Sequence, residues 1–253
     1  MGKTVSVIIP VYNAERFVGD TLQSVVASTY TDIEVVCVND GSTDGSLAVL
    51  QEWAQRDPRV KVLSKANDGV CEARNDGIKA SHGEYILPVD ADNLISAEFI
   101  KQAVEVLDGN SNVKVVAPTA EFFGDRIGRW ELPEFSIHLL ARKNIMDTCA
   151  MYRRKDFDAT EGYCKEIIAR EDWEFWIALL KNGGDVVRLP DVGLKYRVQA
   201  GSKRVSDRKL KHHVIDVLNR RHLEFFEREL GGPLRYHRTW SRLINRIVRL
   251  LHI

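Results

Sequence analysis

Five short apolar runs alternate with four stretches of helical spacing between Val5 and Ala117, and this alternation leaves few folds open. Val5 to Val11 is apolar except for Ser6 and Pro10, and Ile33 to Val38, Val60 to Leu63, Tyr85 to Val89 and Val113 to Ala117 follow as further strands. Between them, Ala14 to Ser28 places Phe17, Val18, Leu22, Val25 and Val26 on one side of a helix. Ser42 or Asp44 can cap a second helix through Leu47, Val49, Leu50 and Trp53. Val70 to Ala80 and Ala97 to Leu107 read as the third and fourth helices. Strand and helix repeated with short connections mean βαβ units and a mostly parallel, Rossmann-like sheet flanked by helices, an α/β fold. Near-continuous apolar strands fit a sheet covered on both faces.

In such sheets a ligand binds beyond the carboxyl ends of the strands. The polar clusters of this chain fall there. They are Tyr12-Asn13, Asn39-Asp40-Gly41, Lys65-Ala66-Asn67-Asp68 and Asp90-Ala91-Asp92-Asn93. Four segments thus converge on one edge. Two carboxylates at i and i+2 on extended backbone point to the same side, so Asp90 and Asp92 can seat a hard divalent cation. An ordinary solvated turn has the same composition. Tyr12 offers a flat face to a base, or closes the edge of the core. Asp40 can accept an N–H from a ligand, or serve the turn before Gly41. Arg74 can face a diphosphate, or pair with Glu72 or Asp76. Lys65 is a second candidate for that work, and Asp44 reads as a helix cap.

The second half is less regular. Met151 to Arg154 reads as a strand, Asp172 to Leu180 as a helix, and Val186 to Leu189 and Leu194 to Val198 as short strands. The segment 126–160 is the least legible. The 36 basic and 36 acidic residues cancel, so net charge points to no partner, nucleic acid included. From Gly201 onward, however, 13 Lys and Arg face 5 Asp and Glu. Cys37, Cys71, Cys149 and Cys164 show no metal-ligand spacing and read as reduced, buried thiols of a cytoplasmic protein. The apolar run near the N-terminus is too short for a signal peptide or a membrane span.

Taken in order, the motifs resemble glycosyltransferase family 2. They are Val7-Ile8-Ile9-Pro10-Val11-Tyr12-Asn13, Val38-Asn39-Asp40-Gly41-Ser42-Thr43-Asp44-Gly45-Ser46, Ala73-Arg74-Asn75, Asp90-Ala91-Asp92 and Arg170-Glu171-Asp172-Trp173. The resemblance covers roughly residues 4 to 200. It implies the GT-A fold and metal-dependent, inverting transfer from a nucleotide-diphospho-sugar, a UDP-sugar above all. The acceptor would be a glycan or lipid-linked glycan of cell-surface polysaccharide synthesis. Pro10, Tyr12, Asn13, Asp40 and Arg74 would then border the nucleotide, with Asp40 accepting the uracil imide N–H. Asp92 would ligate Mn2+ or Mg2+, Asp90 would act through the ribose and a metal-bound water, and Asn93 would reach the sugar or merely extend the turn. Asp172 would be the general base, beside Glu171 in the acceptor site, with Trp173 and Trp176 as stacking faces or, for at least one of them, part of the core. Without the resemblance, Glu171 and Asp172 read simply as acids favoured at a helix N-terminus. Lys203 and Arg204 would lie in a loop that closes over the diphosphate.

The expected division is a catalytic domain over 1–204 and a basic, amphipathic helical extension over 205–253. In that extension Trp240, Leu243, Ile244, Ile247, Val248 and Leu251 share helical spacing, flanked by Arg242, Arg246 and Arg249. Three readings stand. The helix binds the anionic cytoplasmic face of the inner membrane, packs on its own domain, or pairs in a homodimer. A dinucleotide dehydrogenase is excluded because Pro-Val-Tyr-Asn stands where GxGxxG belongs. The rival of another class is a non-catalytic, glycosyltransferase-like scaffold subunit. Retention of Asp90, Asp92 and Asp172 together opposes it.

Overall fold

The computed structural model describes residues 3–167, 169–199 and 208–251. Two compact units divide the chain, the first being Met1–Glu131, Thr148–Ala159 and Gly184–Ser202. The second is Leu132–Asp147, Thr160–Gly183 and Lys203–Ile253.

The first unit is built on one nine-stranded sheet. Its elements are β1 (Val5–Val11), α1 (Val18–Val26), β2 (Ile33–Asp40), α2 (Ser46–Arg56), β3 (Val60–Lys65), α3 (Val70–Lys79), β4 (Tyr85–Pro88), β5 (Leu94–Ile95), α4 (Phe99–Gly109), β6 (Val113–Gly124), β7 (Gly128–Trp130), β8 (Met151–Arg153), α6 (Arg154–Asp158) and β9 (Asp185–Val198). Strand order is β3-β2-β1-β4-β8-β6-β9-β5, with β7 paired to β6. The four strands β3, β2, β1 and β4 are parallel, which is the expected βαβ half. Beyond β4 the sheet is mixed. β8 inserts antiparallel between β4 and β6, and β6 and β9 pair in parallel. The two short strands read at 186–189 and 194–198 are one strand, because β9 runs on through irregular register steps against β6.

Every residue of β2 is buried, as a strand covered on both faces requires. On one face α3 approaches closely at Gly77. A Cβ there would stand 2.6 Å from Ile8 Cγ2, so only glycine lets this helix sit at that depth. At the amino ends of the strands, the buried Glu34 ties elements together. It accepts Ser6 Oγ at 2.8 Å, the His82 amide at 2.7 Å, the Gly83 amide at 3.1 Å and Lys61 Nζ at 3.1 Å. All four cysteines are free and buried, and burial pushes the Cys37 thiol up to about 12.

The second unit is helical: α5 (Ile137–Leu140), α7 (Glu171–Leu180), α8 (Arg208–Leu230), a 3-10 turn (Arg238–Trp240) and α9 (Ser241–Leu251). α8 bends at His222, where φ is −136° and ψ 32°. Glu174 of α7 is fully buried and accepts His222 Nε2 at 2.8 Å and Arg221 Nε at 2.9 Å. This buried charge joins α7 to the bend of α8. The C-terminal helices share a compact unit with 132–147 and 160–183. Among the described residues, no helix is long and apolar enough to cross a membrane.

Candidate active site

In the first unit, the carboxyl ends of β1, β2 and β3 are laced together by side chains bonding to backbone. Asn13 stands in the left-handed region (φ 51°), and its Oδ1 accepts the Thr43 amide at 2.8 Å. Its own amide donates to Ser42 Oγ at 3.1 Å. Asn39 Oδ1 accepts the Ser42 amide, and its Nδ2 donates to Ser64 Oγ at 2.9 Å. Asn13 thus braces the loop after β2. Asp44 accepts the Ser46 amide at 3.0 Å and the Glu15 amide at 3.1 Å, one residue before Gly45, the N-cap of α2. Pro10 pairs with Val38 one step before the paired part of β1 ends at Val11, and Tyr12 just beyond is 54% exposed, open to a planar ligand.

Asp40 is buried, and its carboxylate clamps the loop after β3. One oxygen accepts the Asp68 amide at 3.0 Å and the other the Gly69 amide at 2.9 Å. Asn67 Nδ2 donates to the Asp40 carbonyl at 2.8 Å. Gly41 (φ 72°) lies so near this loop that a Cβ would stand 2.6 Å from the Asn67 amide nitrogen. A carboxylate offers about four lone-pair directions, so two remain for a ligand.

At the end of β4 the Arg74 guanidinium, 2% exposed, donates to Asp90 Oδ1 at 2.8 Å. Asp76 pairs with Lys65 at 2.5 Å. Arg74 is therefore a brace for Asp90. Asp92 is half-buried, and burial, together with the charge of Asp90, pushes its carboxyl up to about 6. Gln199 Nε2 reaches Asp92 Oδ2 at 3.4 Å. Asn93 is buried, and its Oδ1 accepts the Arg197 amide at 3.0 Å, which fixes the turn to β9. Arg197 lies over the rings of Phe123 (4.4 Å) and Phe17 (4.7 Å) and donates through Nε to the Asp92 carbonyl at 2.9 Å.

The donor set fits a divalent cation. A carboxyl raised by burial and like charge is one that a cation relieves. Among the described residues no three His, Cys, Asp or Glu side chains gather as a metal site. The protein would contribute Asp92, with Asp90 behind it, and oxygens of a diphosphate and water would complete the shell.

In the second unit, Glu171 and Asp172 open α7 directly after Arg170. Arg170 and Asn13 are the two non-glycine residues with positive φ among those described, at 65° and 51°. Such conformations cluster at functional sites. Both oxygens of Asp172 are engaged: Asn144 Nδ2 donates to Oδ2 at 2.5 Å and the Trp173 amide to Oδ1 at 2.9 Å. Trp173 does not stack on a sugar. It is fully buried, and its indole N–H donates to the Leu140 carbonyl at 2.7 Å, because the unit needs its bulk as core. Lys203 and Arg204 lie outside the described residues. Sequence reasoning missed Asn144, Gln199 and the bracing part of Arg197. An isolated Asn in an irregular segment carries no pattern, whereas Arg197, next to Tyr196 at a strand end, gave a weak signal.

The family model described as Glycosyl transferase family 2 matches residues 6–160. The chain belongs to glycosyltransferase family 2. The uncharacterized glycosyltransferase EpsJ of Bacillus subtilis is 41% identical over 106 residues, 42% of this chain and 31% of that protein. Chondroitin synthase of Escherichia coli is 28% identical over 184 residues, 71% of this chain and 27% of that protein. The chain thus spans about a third of the length of these curated relatives. Among solved structures, S. aureus TarS 1-349 in complex with UDP-GlcNAc matches with a TM-score of 0.72 at 23% identity, over 96% of this chain and 71% of that one. Mannosyltransferase PcManGT from Pyrobaculum calidifontis, in complex with GDP-Man and Mn2+, matches with a TM-score of 0.68 at 17% identity, over 99% and 75%. At these identities the likeness establishes the fold, which is GT-A with a helical C-terminal region, as the motifs implied.

Proposed function

We propose that this chain transfers a sugar from a UDP-sugar to a hydroxyl of a glycan or lipid-linked glycan, in one inverting displacement. The observation that carries this reading is the arrangement at the strand ends of the first unit. There Tyr12 is open, Asp40 is pinned with acceptor capacity left, and Asp92 is a charge-frustrated carboxylate beside an Arg74-braced Asp90. Tyr12 stacks on the uracil and Asp40 accepts its imide N–H. The Asp90 carboxylate, held by Arg74, takes the ribose hydroxyls. Asp92 holds Mn2+ or Mg2+, which when bound neutralises charge on the departing diphosphate, so that the leaving group needs no proton.

Asp172 acts as general base. Its carboxylate, fixed by Asn144, takes the acceptor hydroxyl proton as that oxygen bonds to the anomeric carbon. The anomeric carbon–oxygen bond to phosphate breaks, its electron pair leaving with UDP. The family assignment and the nucleotide-sugar complexes of TarS and PcManGT support the donor class. Chondroitin synthase among the relatives supports a polysaccharide acceptor.

The test is release of UDP from a panel of UDP-sugars with Mn2+, with Asp172→Asn alongside. The variant should lose about 10²–10⁴-fold in kcat while its UDP affinity by calorimetry stays at the wild-type value. Lost UDP affinity would refute the base assignment. Failure to bind or turn over any nucleotide sugar, with acceptor extracts supplied, would refute the enzyme reading in favour of a scaffold subunit.

A further inference from the structure

α9 is an amphipathic helix mounted in reverse. Its buried residues are polar, Ser241 and Asn245. Around it, Trp240, Leu243, Ile247, Leu250 and Leu251 are each 46–69% exposed. At helical spacing these five form one apolar face turned to solvent.

Hydrogen bonds set that rotation. Asn245 Oδ1 accepts Arg235 Nε at 2.9 Å, and its Nδ2 donates to the Pro233 carbonyl at 2.9 Å and the Leu230 carbonyl at 3.3 Å. Ser241 Oγ accepts the Arg235 amide at 3.0 Å, and Arg249 donates to the Gly231 carbonyl at 2.6 Å. A Cβ on Gly232 would stand 2.9 Å from the Asn245 side chain, so the turn beneath the helix is shaped to receive it. Turning the helix over would strand these buried polar groups.

Along the C-terminal sequence the charge is of one sign, although Glu227 and Glu229 of α8 line a cavity together with Arg242, Arg246 and Arg249. From Gly231 to Ile253 the chain holds five arginines and no Asp or Glu. Arg242, Arg246 and Arg249 form a stripe along one border of the apolar face, and among the described residues no acidic side chain pairs with them. A second copy of this helix would set arginine against arginine. An anionic bilayer surface matches both properties, since it takes apolar side chains beneath a layer of negative headgroups.

We infer that α9 is an interfacial membrane anchor, lying in the plane of an anionic leaflet with Leu243, Ile247 and Leu250 inserted and the arginine stripe among the headgroups. This stands apart from the proposed catalysis, and its test needs no sugar. The full chain is sedimented with phosphatidylcholine vesicles with or without about a third phosphatidylglycerol at about 0.1 M salt, where surface charge still acts within a Debye length. Tryptophan emission is followed in parallel.

The wild type should partition onto the anionic vesicles at least about tenfold better than onto phosphatidylcholine alone, with a blue shift from Trp240. Leu243→Ser/Ile247→Ser and, separately, Arg242→Gln/Arg246→Gln should each cut partitioning about tenfold or more. Both pairs are exposed and should leave the thermal midpoint unchanged. Absence of binding to anionic vesicles would overturn the inference. So would full binding by the serine variant, or a lipid-free dimer that this variant dissociates.

Discussion

Asp40→Asn separates two duties that the structure gives one side chain. The Asp40 carboxylate accepts two backbone amides through different oxygens, at 3.0 Å and 2.9 Å. Asparagine has the same shape but one acceptor oxygen. Its NH2 must face either the Asp68 or the Gly69 amide, donor against donor. One charge-assisted bond is lost and a buried amide goes unsatisfied, a cost of about 1–3 kcal/mol. For a chain of this size each kcal/mol shifts the melting midpoint by about 2–4 °C, so Asp40→Asn should melt roughly 2–12 °C lower. Losing a charged acceptor for the uracil imide costs a further ~1.5–3 kcal/mol in binding, which raises the Kd for UDP about 10- to 150-fold. Scanning fluorimetry measures the first effect and calorimetry the second. CDP supplies the control, because cytosine lacks the imide N–H. The wild type should prefer UDP over CDP, and the variant should lose most of that preference. An unchanged midpoint would refute the clamp. An unchanged UDP to CDP ratio would refute the uracil contact while leaving the clamp intact.

Asn144→Ala removes the amide donor to Asp172 Oδ2 and should lower kcat about 10- to 100-fold, the worth of a hydrogen bond to a charged group, without changing UDP affinity. A loss in UDP affinity instead would count against its place on the acceptor side. Glu34 predicts a pH effect on stability. Burial pushes its carboxyl up, but the His82 amide, Ser6, Lys61 and the Gly83 amide outweigh burial and hold it below the ordinary range. A lowered carboxyl stabilises the fold above its unfolded pKa of about 4.3, and that contribution is lost as pH falls through the folded value. Glu34→Gln should therefore cost about 1.5–3 kcal/mol at pH 7, with the gap to wild type closing below about pH 4. A gap constant from pH 7 to pH 3 in denaturant titrations would show that the charge contributes nothing.

What could be read beforehand followed from period and from ends. The strands β1, β2, β3 and β4 are apolar runs between polar clusters, and a parallel sheet puts those clusters on one edge whatever the details. The place of Asp40, Asp90 and Asp92 on that edge was legible for that reason. The second half resisted because its pairings are not local. β8 comes from residue 151 yet lies beside β4, and no periodicity announces an antiparallel insertion. Trp173 stayed open in the sequence because a tryptophan next to a catalytic-looking acid fits a sugar platform as well as a core plug. Only the Leu140 carbonyl receiving its N–H decides between them. Asn144 is one polar residue in an irregular segment, and its importance is entirely a matter of where its amide points.

Buried polar groups explain most of these departures, and they share a physical cause. Apolar patterning says which face of an element can be buried, but a satisfied polar group can override it, since stranding such a group costs about as much as burying one aliphatic side chain gains. Asp40 thereby holds a loop that patterning leaves free. Glu174, buried among the aromatic and aliphatic residues of α7, selects the bend of α8 at His222. Asn245 and Ser241 together make four hydrogen bonds to the segment 230–235, and α9 turns its leucines outward as a result. Periodicity alone left that helix free to face a membrane, its own domain or a second copy. Replacing Asn245 with leucine therefore tests the device itself. The helix should lose its reason to face outward, and vesicle binding should fall even though the chain has become more apolar.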